Sequence, residues 1–205
     1  MARVDPDRVA TNLAEVRDEV GPDVRVLAAV KYVSAEELGV LVEGGVRLAG
    51  ENRAQDLEIK AVAFPQLEWH FIGHLQSRKV KQVLPLVTLI HSVASDSALE
   101  QLGRHGTDDT EVLIEVNVAR EEGKSGVDPD ALDAFLERCP VRVVGLMTMP
   151  PAAQEPEDSR RWFSALRELA TGRGLRELSM GTSQDYAVAA QEGATIVRIG
   201  SRILR

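Results

Sequence analysis

The chain has 205 residues, a formal net charge of −8 and the composition of an ordinary globular protein. An acidic surface repels phosphate backbones and anionic lipid, so we expect neither nucleic acid nor membranes as partners. A single cysteine, Cys139, excludes an internal disulfide and fits a reducing compartment, so we expect a cytoplasmic protein. We also expect no membrane span and no secretion signal, since no apolar stretch has the length or the place for either.

Short β-rich segments alternate with helical patterns along the chain. A helix is predicted over residues 6–19, and Ser34 with Glu37 has the spacing of a capping box at the start of another. Eight predicted strands follow the first helix, at residues 24–30, 46–50, 69–73, 88–93, 111–118, 141–147, 177–181 and 195–200.

This alternation favours a parallel α/β fold, because strands that alternate with helices form parallel sheets. Eight is the number of strands that closes a (β/α)8 TIM barrel. We therefore predict one such barrel domain over residues 1–205, with an extra N-terminal helix. The alternative is an open, doubly wound sheet.

Polar residues gather at the carboxyl ends of the predicted strands, where barrels of this kind carry their active sites. The last two ends carry GTS at residues 181–183 and GS at residues 200–201. Loops after the last strands of a barrel often bind phosphate, since glycine lets backbone N–H groups approach an anion and hydroxyls add donors. Glycine and serine also form ordinary turns, but their occurrence at adjacent strand ends favours a phosphate site.

Lys31 directly follows the apolar segment that forms the first predicted strand. In an arbitrary protein such a lysine packs its stem on apolar surface and keeps its ammonium in water. On a barrel strand it would instead face the site, where apolar walls lower the pKa of a lysine and the neutral amine can form a Schiff base with an aldehyde. A Schiff-base lysine opposite a phosphate site is the arrangement that pyridoxal 5′-phosphate (PLP) requires.

Arg198 lies on the last predicted strand, two residues before Gly200. An arginine that faces inward from a strand is unusual, and its guanidinium can only donate hydrogen bonds. It would meet the ring nitrogen of PLP as an unprotonated acceptor, which weakens the ring as an electron sink. The alternative is an exposed arginine in an ion pair.

No metal site is predicted from the sequence. The histidines lack the spacing of metal ligands, and the chain has no CxxC motif. His70 and His91 fall within predicted strands, so we expect them in the core or lining the barrel.

Several stretches together resemble the YggS/PROSC family of PLP-binding homeostasis proteins over nearly the whole chain. They are LAAVKYVSAEEL, LAGENRAQDL, WHFIGHLQSRKVK, EVLIEVNVAREEGKSG, VGLMTMP, LSMGTSQDYAVAAQEGAT and VRIGS, in that order. The resemblance implies the fold of the N-terminal barrel of alanine racemase, with PLP as cofactor. The residues it implies are Lys31 as the Schiff-base lysine, Ser183, Gly200 and Ser201 at the phosphate, Arg198 at the pyridine nitrogen, and Asn52 and Met147 beside the ring.

The resemblance further implies a carrier that keeps intracellular PLP (vitamin B6) and amino-acid pools in balance, with PLP-accepting apo-enzymes as candidate partners. We expect a monomer and no robust enzyme. The alternative is a PLP-dependent amino-acid racemase, which needs a base on each face of the substrate α-carbon. Neither Tyr32 nor Tyr186 is obviously placed as that second base. A phosphosugar aldolase would use Lys31 and the phosphate site but leave Arg198 unexplained.

Overall fold

Eight parallel strands close into a barrel in the computed structural model, which describes residues 5–204. The strands pair in sequence order, and the first pairs with the last. Each overlaps its predicted segment, so the predicted (β/α)8 barrel is confirmed and the open sheet is excluded. The strands are β1 (Arg25–Ala29), β2 (Leu48–Glu51), β3 (Glu68–Phe71), β4 (Leu89–Val93), β5 (Glu111–Glu115), β6 (Arg142–Met147), β7 (Glu177–Thr182) and β8 (Ile196–Ile199).

Helices surround the barrel and begin at recognisable capping signals. The first confirms the predicted N-terminal helix, and the carboxylate of Asp5 accepts the N–H of Asp7 at its start. The capping box of Ser34 and Glu37 forms as predicted at the start of the second. The helices are α1 (Pro6–Val20), α2 (Ala35–Glu43), α3 (Ala54–Ala63), α4 (Val80–Val83), α5 (Asp96–His105), α6 (Leu132–Glu137), α7 (Arg160–Thr171), α8 (Tyr186–Gln191) and α9 (Ser201–Leu204). None of these helices has the length and apolar character needed to cross a membrane.

The core has two parts because successive strand residues point to opposite faces of the sheet. The larger part lies between the sheet and the helices. The smaller part fills the barrel itself, so the interior is packed and not an open pore. It consists of Leu27, Leu48, Leu89, Leu113, Met147 and Ile196.

Candidate functional site

A cavity of about 1100 Å³ opens at the carboxyl ends of the strands. It collects residues from the turns after β1, β2, β7 and β8, which are far apart in sequence but adjacent around the closed barrel. Six of the seven predicted site residues line it: Lys31, Asn52, Ser183, Arg198, Gly200 and Ser201.

Lys31 lies in the turn after β1 and lines the cavity. Its side chain is exposed, and its Nζ lies 4.7 Å from the centroid of the Tyr32 ring, a cation–π contact. The predicted burial of this amine among apolar walls is therefore wrong. The reason is that β1 ends at Ala29, so Lys31 stands beyond the strand in the mouth of the cavity.

A buried ion pair fixes the backbone beside two of these residues. Lys60 of α3 donates to the carbonyl of Val30 at 2.8 Å and to Glu51 Oε2 at 2.6 Å. The other oxygen of Glu51 accepts the backbone N–H of Asn52 at 2.7 Å. The pair thus ties the end of β1, just before Lys31, to the end of β2.

Lys60 was not predicted as a site residue, although the sequence contains a signal for its role. Lys60 follows Ala54 and Leu57 at intervals of three residues, and all three lie on the buried face of α3. A lysine on the apolar face of a helix needs a partner, and Glu51 is the carboxylate at the end of the preceding strand.

Asn52 presents an unsatisfied polar atom at the cavity. Its Oδ1 is buried and has no hydrogen-bond partner within residues 5–204. Buried polar atoms are nearly always paired, so this amide fits a polar group of a bound ligand. Its backbone is held closely, since a Cβ at Gly73 would lie 2.0 Å from the Asn52 carbonyl oxygen.

The turns after β7 and β8 meet at the hydroxyl of Ser183. Its Oγ accepts the backbone N–H of Gly200 at 3.1 Å and that of Arg202 at 3.4 Å. Two backbone N–H groups therefore converge on this hydroxyl, which keeps its own hydrogen to donate to an anion. A Cβ at Gly200 would approach no atom closer than 3.6 Å, so the surrounding protein leaves space there. These features fit a phosphate group.

Arg198 faces inward from β8 and is 5% exposed. Its Nη1 donates to Ser179 Oγ at 2.5 Å, and its Nη2 donates to the carbonyl of Thr148 at 2.9 Å. Burial lowers its pKa to about 10, so the guanidinium stays protonated at neutral pH. The alternative of an exposed arginine in an ion pair is wrong, because the side chain is buried.

Met147 departs from its predicted place beside the cavity. It is 2% exposed and packs inside the barrel with Leu27 and Leu113, so it does not line the cavity. Met149 lines the cavity instead, and Arg198 Nη2 lies 2.9 Å from its Sδ. The physical reason is that Met147, the last residue of β6, points into the packed barrel interior, whereas Met149 lies in the loop that follows the strand.

His70 and His91 lie fully buried within the barrel strands, as predicted. His70 Nδ1 lies 2.9 Å from His91 Nε2. Among the residues that the structure describes, no group of three or more histidine, cysteine or carboxylate side chains could hold a metal ion.

Comparisons with known proteins agree with one another. The family model for the N-terminal domain of alanine racemase matches residues 4–204. The pyridoxal phosphate homeostasis protein of Aquifex aeolicus is 42% identical over 192 residues, which cover 86% of this chain and 84% of that protein. PipY of Synechococcus elongatus PCC7942, solved with PLP bound, is 29% identical with a TM-score of 0.83, over 96% of this chain and 100% of that one. Alanine racemase of Corynebacterium glutamicum shares the fold, with a TM-score of 0.80 at 18% identity, over 98% of this chain and 62% of that one.

Proposed function

Since the chain belongs to the alanine racemase N-terminal domain family and, within it, to the pyridoxal phosphate homeostasis proteins, we propose that it binds PLP as a Schiff base of Lys31. It acts in PLP and amino-acid homeostasis as a carrier and not as a robust catalyst. One observation carries this proposal: an amine, a pair of converging N–H groups and a buried arginine line the same cavity.

The residues that line this cavity suit the aldehyde and the phosphate of PLP. The amine of Lys31 would condense with the aldehyde and release water. The backbone N–H of Gly200, with the hydroxyls of Ser183 and Ser201, would bind the phosphate. Asn52 would supply the polar contact that its unpaired Oδ1 calls for. When bound, PLP supplies a reactive carbonyl and a ring that accepts electrons.

Arg198 favours a carrier over a racemase. Its guanidinium can only donate, so it would hold the ring nitrogen as an unprotonated acceptor and weaken the ring as an electron sink. Met149, which lines the cavity and contacts Arg198, would lie beside the ring.

The tyrosines also favour a carrier, because racemisation needs a second base across the substrate from the first. Tyr32 is exposed and contacts Lys31, so it does not stand across the cavity from the lysine. Tyr186 donates to Glu19 Oε2 at 2.7 Å and does not line the cavity. On this proposal the protein is a cytoplasmic monomer that passes PLP to apo-enzymes.

The proposal is tested by adding PLP to the purified protein and recording its visible spectrum. We expect the absorption band of a PLP Schiff base, which Lys31→Ala abolishes. The matched control Lys81→Ala removes an exposed lysine outside the cavity and should keep the band. Absence of any band in the wild type would favour the phosphosugar aldolase, and rapid conversion of L- to D-alanine would favour the racemase.

A further inference from the structure

A chain of hydrogen bonds crosses the barrel interior from Glu68, at the amino-terminal mouth, to Arg198 in the cavity. Glu68 Oε1 lies 2.9 Å from His70 Nε2, and His70 Nδ1 lies 2.9 Å from His91 Nε2. His91 Nδ1 lies 2.8 Å from Ser179 Oγ, and Ser179 Oγ accepts from Arg198 Nη1. The histidines and Ser179 are fully buried, whereas Glu68 is exposed.

The histidines in this chain are neutral. Burial lowers the pKa of His70, and burial together with the positive charge of Arg198 lowers that of His91 well below its usual value. The hydrogen bond from His70 lowers the pKa of Glu68 to about 2, so this carboxylate is ionised at neutral pH. A neutral imidazole has one N–H donor and one acceptor nitrogen, so each ring has a definite direction in the chain.

Glu68 sets that direction, because an ionised carboxylate can only accept. His70 therefore carries its proton on Nε2, which leaves Nδ1 to accept from His91 Nε2–H. His91 Nδ1 is then an acceptor, and the hydroxyl of Ser179 donates to it. Ser179 thus offers only lone pairs to Arg198, whose guanidinium can only donate. Every hydrogen bond in the chain therefore has one donor and one acceptor, and all four donate in the direction from Arg198 toward Glu68.

The surroundings of the two ends agree with this direction. At the mouth of the barrel, Arg25 lies 3.7 Å from Glu68, and Thr88 donates to Glu68 at 3.1 Å. Both contacts stabilise the ionised carboxylate. At the cavity end, the negative charges of Glu115 and Asp185 act on the guanidinium and favour its protonated form.

From this geometry, and resting on the proposed function, we infer that Glu68, His70 and His91 are positioning residues for Arg198. They hold Ser179 as an acceptor and thereby fix the guanidinium in the orientation that meets the cofactor ring. A polar chain in a barrel core costs stability compared with apolar packing unless every member is satisfied. The complete satisfaction of this chain, and its end at the cavity, support a role beyond packing.

The first test is the tautomer of each buried histidine in the protein without PLP, read at pH 7 from long-range ¹⁵N–¹H NMR spectra. We expect His70 and His91 to be neutral, each with its proton on Nε2. The exposed His74 and His105 supply reference signals. A proton on Nδ1 of His91, or a charged imidazole at either buried position, would overturn the inference.

The second test uses Glu68→Gln, which keeps the shape of the side chain but lets it donate as well as accept. We expect the Nδ1–H tautomer of His91 to appear and the Kd for PLP to rise about three- to tenfold, the usual weight of one hydrogen bond. The matched control is Glu177→Gln, at the same mouth, since Glu177 also accepts from Arg25, at 3.2 Å, but does not bond to either histidine. It should change neither the tautomers nor the Kd.

The outcomes separate this inference from the proposed function. Wild-type protein that binds no PLP would refute the proposed function. Wild-type protein that binds PLP, together with a Glu68→Gln variant of equal Kd, would refute the positioning role and leave the proposed function standing. A purely structural role would lower stability in Glu68→Gln without moving the tautomer or the Kd.

Discussion

Lys31 lies at the mouth of the cavity and Arg198 lies deep inside it, and this difference in exposure suits a carrier. Arg198 is 5% exposed, whereas the side chain of Lys31 is exposed in the mouth. Release of PLP from a Schiff base requires water at the carbon that the lysine holds. An amine that solvent reaches permits this reverse step, while on the proposed function the buried arginine would orient the ring before and after it.

Gly200 gives a test at the scale of one residue, because its packing does not require glycine. A Cβ there would occupy space beside the converging N–H groups. We expect Gly200→Ala to keep the free energy of unfolding within about 0.5 kcal/mol. Its Kd for PLP should rise roughly tenfold, which equals about 1.4 kcal/mol. Denaturant unfolding and absorbance titration with PLP measure the two quantities.

Gly181 serves as the contrasting variant. It has a φ of +87°, and a Cβ there would lie 2.5 Å from the Cβ of Ala189. Gly181→Ala should therefore lower stability by more than about 1 kcal/mol. A Gly200→Ala variant that unfolds as readily as Gly181→Ala, or that binds PLP as tightly as the wild type, would contradict the assignment of this rim to phosphate.

At the scale of elements, the pair of Lys60 and Glu51 joins α3 to the ends of β1 and β2. Lys60→Met leaves a buried carboxylate without its partner, so we expect a loss of about 3–5 kcal/mol in the free energy of unfolding. The double variant Glu51→Gln with Lys60→Met removes both charges and should recover most of that loss. Urea unfolding measures both variants. A double variant no more stable than Lys60→Met would show that the charge pair is not the cause.

The sequence predicted the elements well but not every side-chain position. The predicted strand ends placed Lys31 and Ser183 at the same rim, because the carboxyl ends of parallel strands share one edge of the barrel. They did not show that the residues after β1 form a turn in which the side chain of Lys31 is exposed. The end of β6 was predicted correctly at Met147, but the sequence did not show that the side chain of Met147 points into the packed barrel interior.

The contacts that the sequence did not reveal join residues from separate elements. Lys60, in the helix that follows β2, pairs with Glu51, and His91 contacts Ser179 across 88 residues of sequence. Periodicity shows which residues are buried, but it does not show which polar partner each of them finds inside a closed barrel. These pairings depend on the register of the strands, which only the assembled sheet defines.

At the scale of the whole molecule, the buried histidines link stability to pH. In the unfolded chain they have the usual pKa of 6.5, whereas burial lowers it in the native barrel. Below that pH the unfolded state binds protons that the native state does not. Stability should therefore fall between pH 7 and pH 5, by up to about 1.4 kcal/mol per pH unit for each histidine.

Glu68 acts in the same direction at lower pH. Its native pKa is lowered from 4.5 to about 2, so its contribution is present above the unfolded value and is lost as the pH falls toward 2. Denaturant unfolding at a series of pH values measures the slope. His105→Asn, at an exposed position, should follow the wild-type curve. Stability that stays constant or rises from pH 7 to pH 5 would contradict neutral histidines in the barrel.

The covalent attachment of PLP is tested most directly by reduction of the PLP-loaded protein with borohydride, followed by peptide mass spectrometry. Reduction converts a Schiff base into a stable amine, so the modified lysine can be identified. We predict a pyridoxyl group on the peptide that contains Lys31 and no comparable modification elsewhere. A pyridoxyl group on another lysine, or none after the protein has been saturated with PLP, would contradict this account.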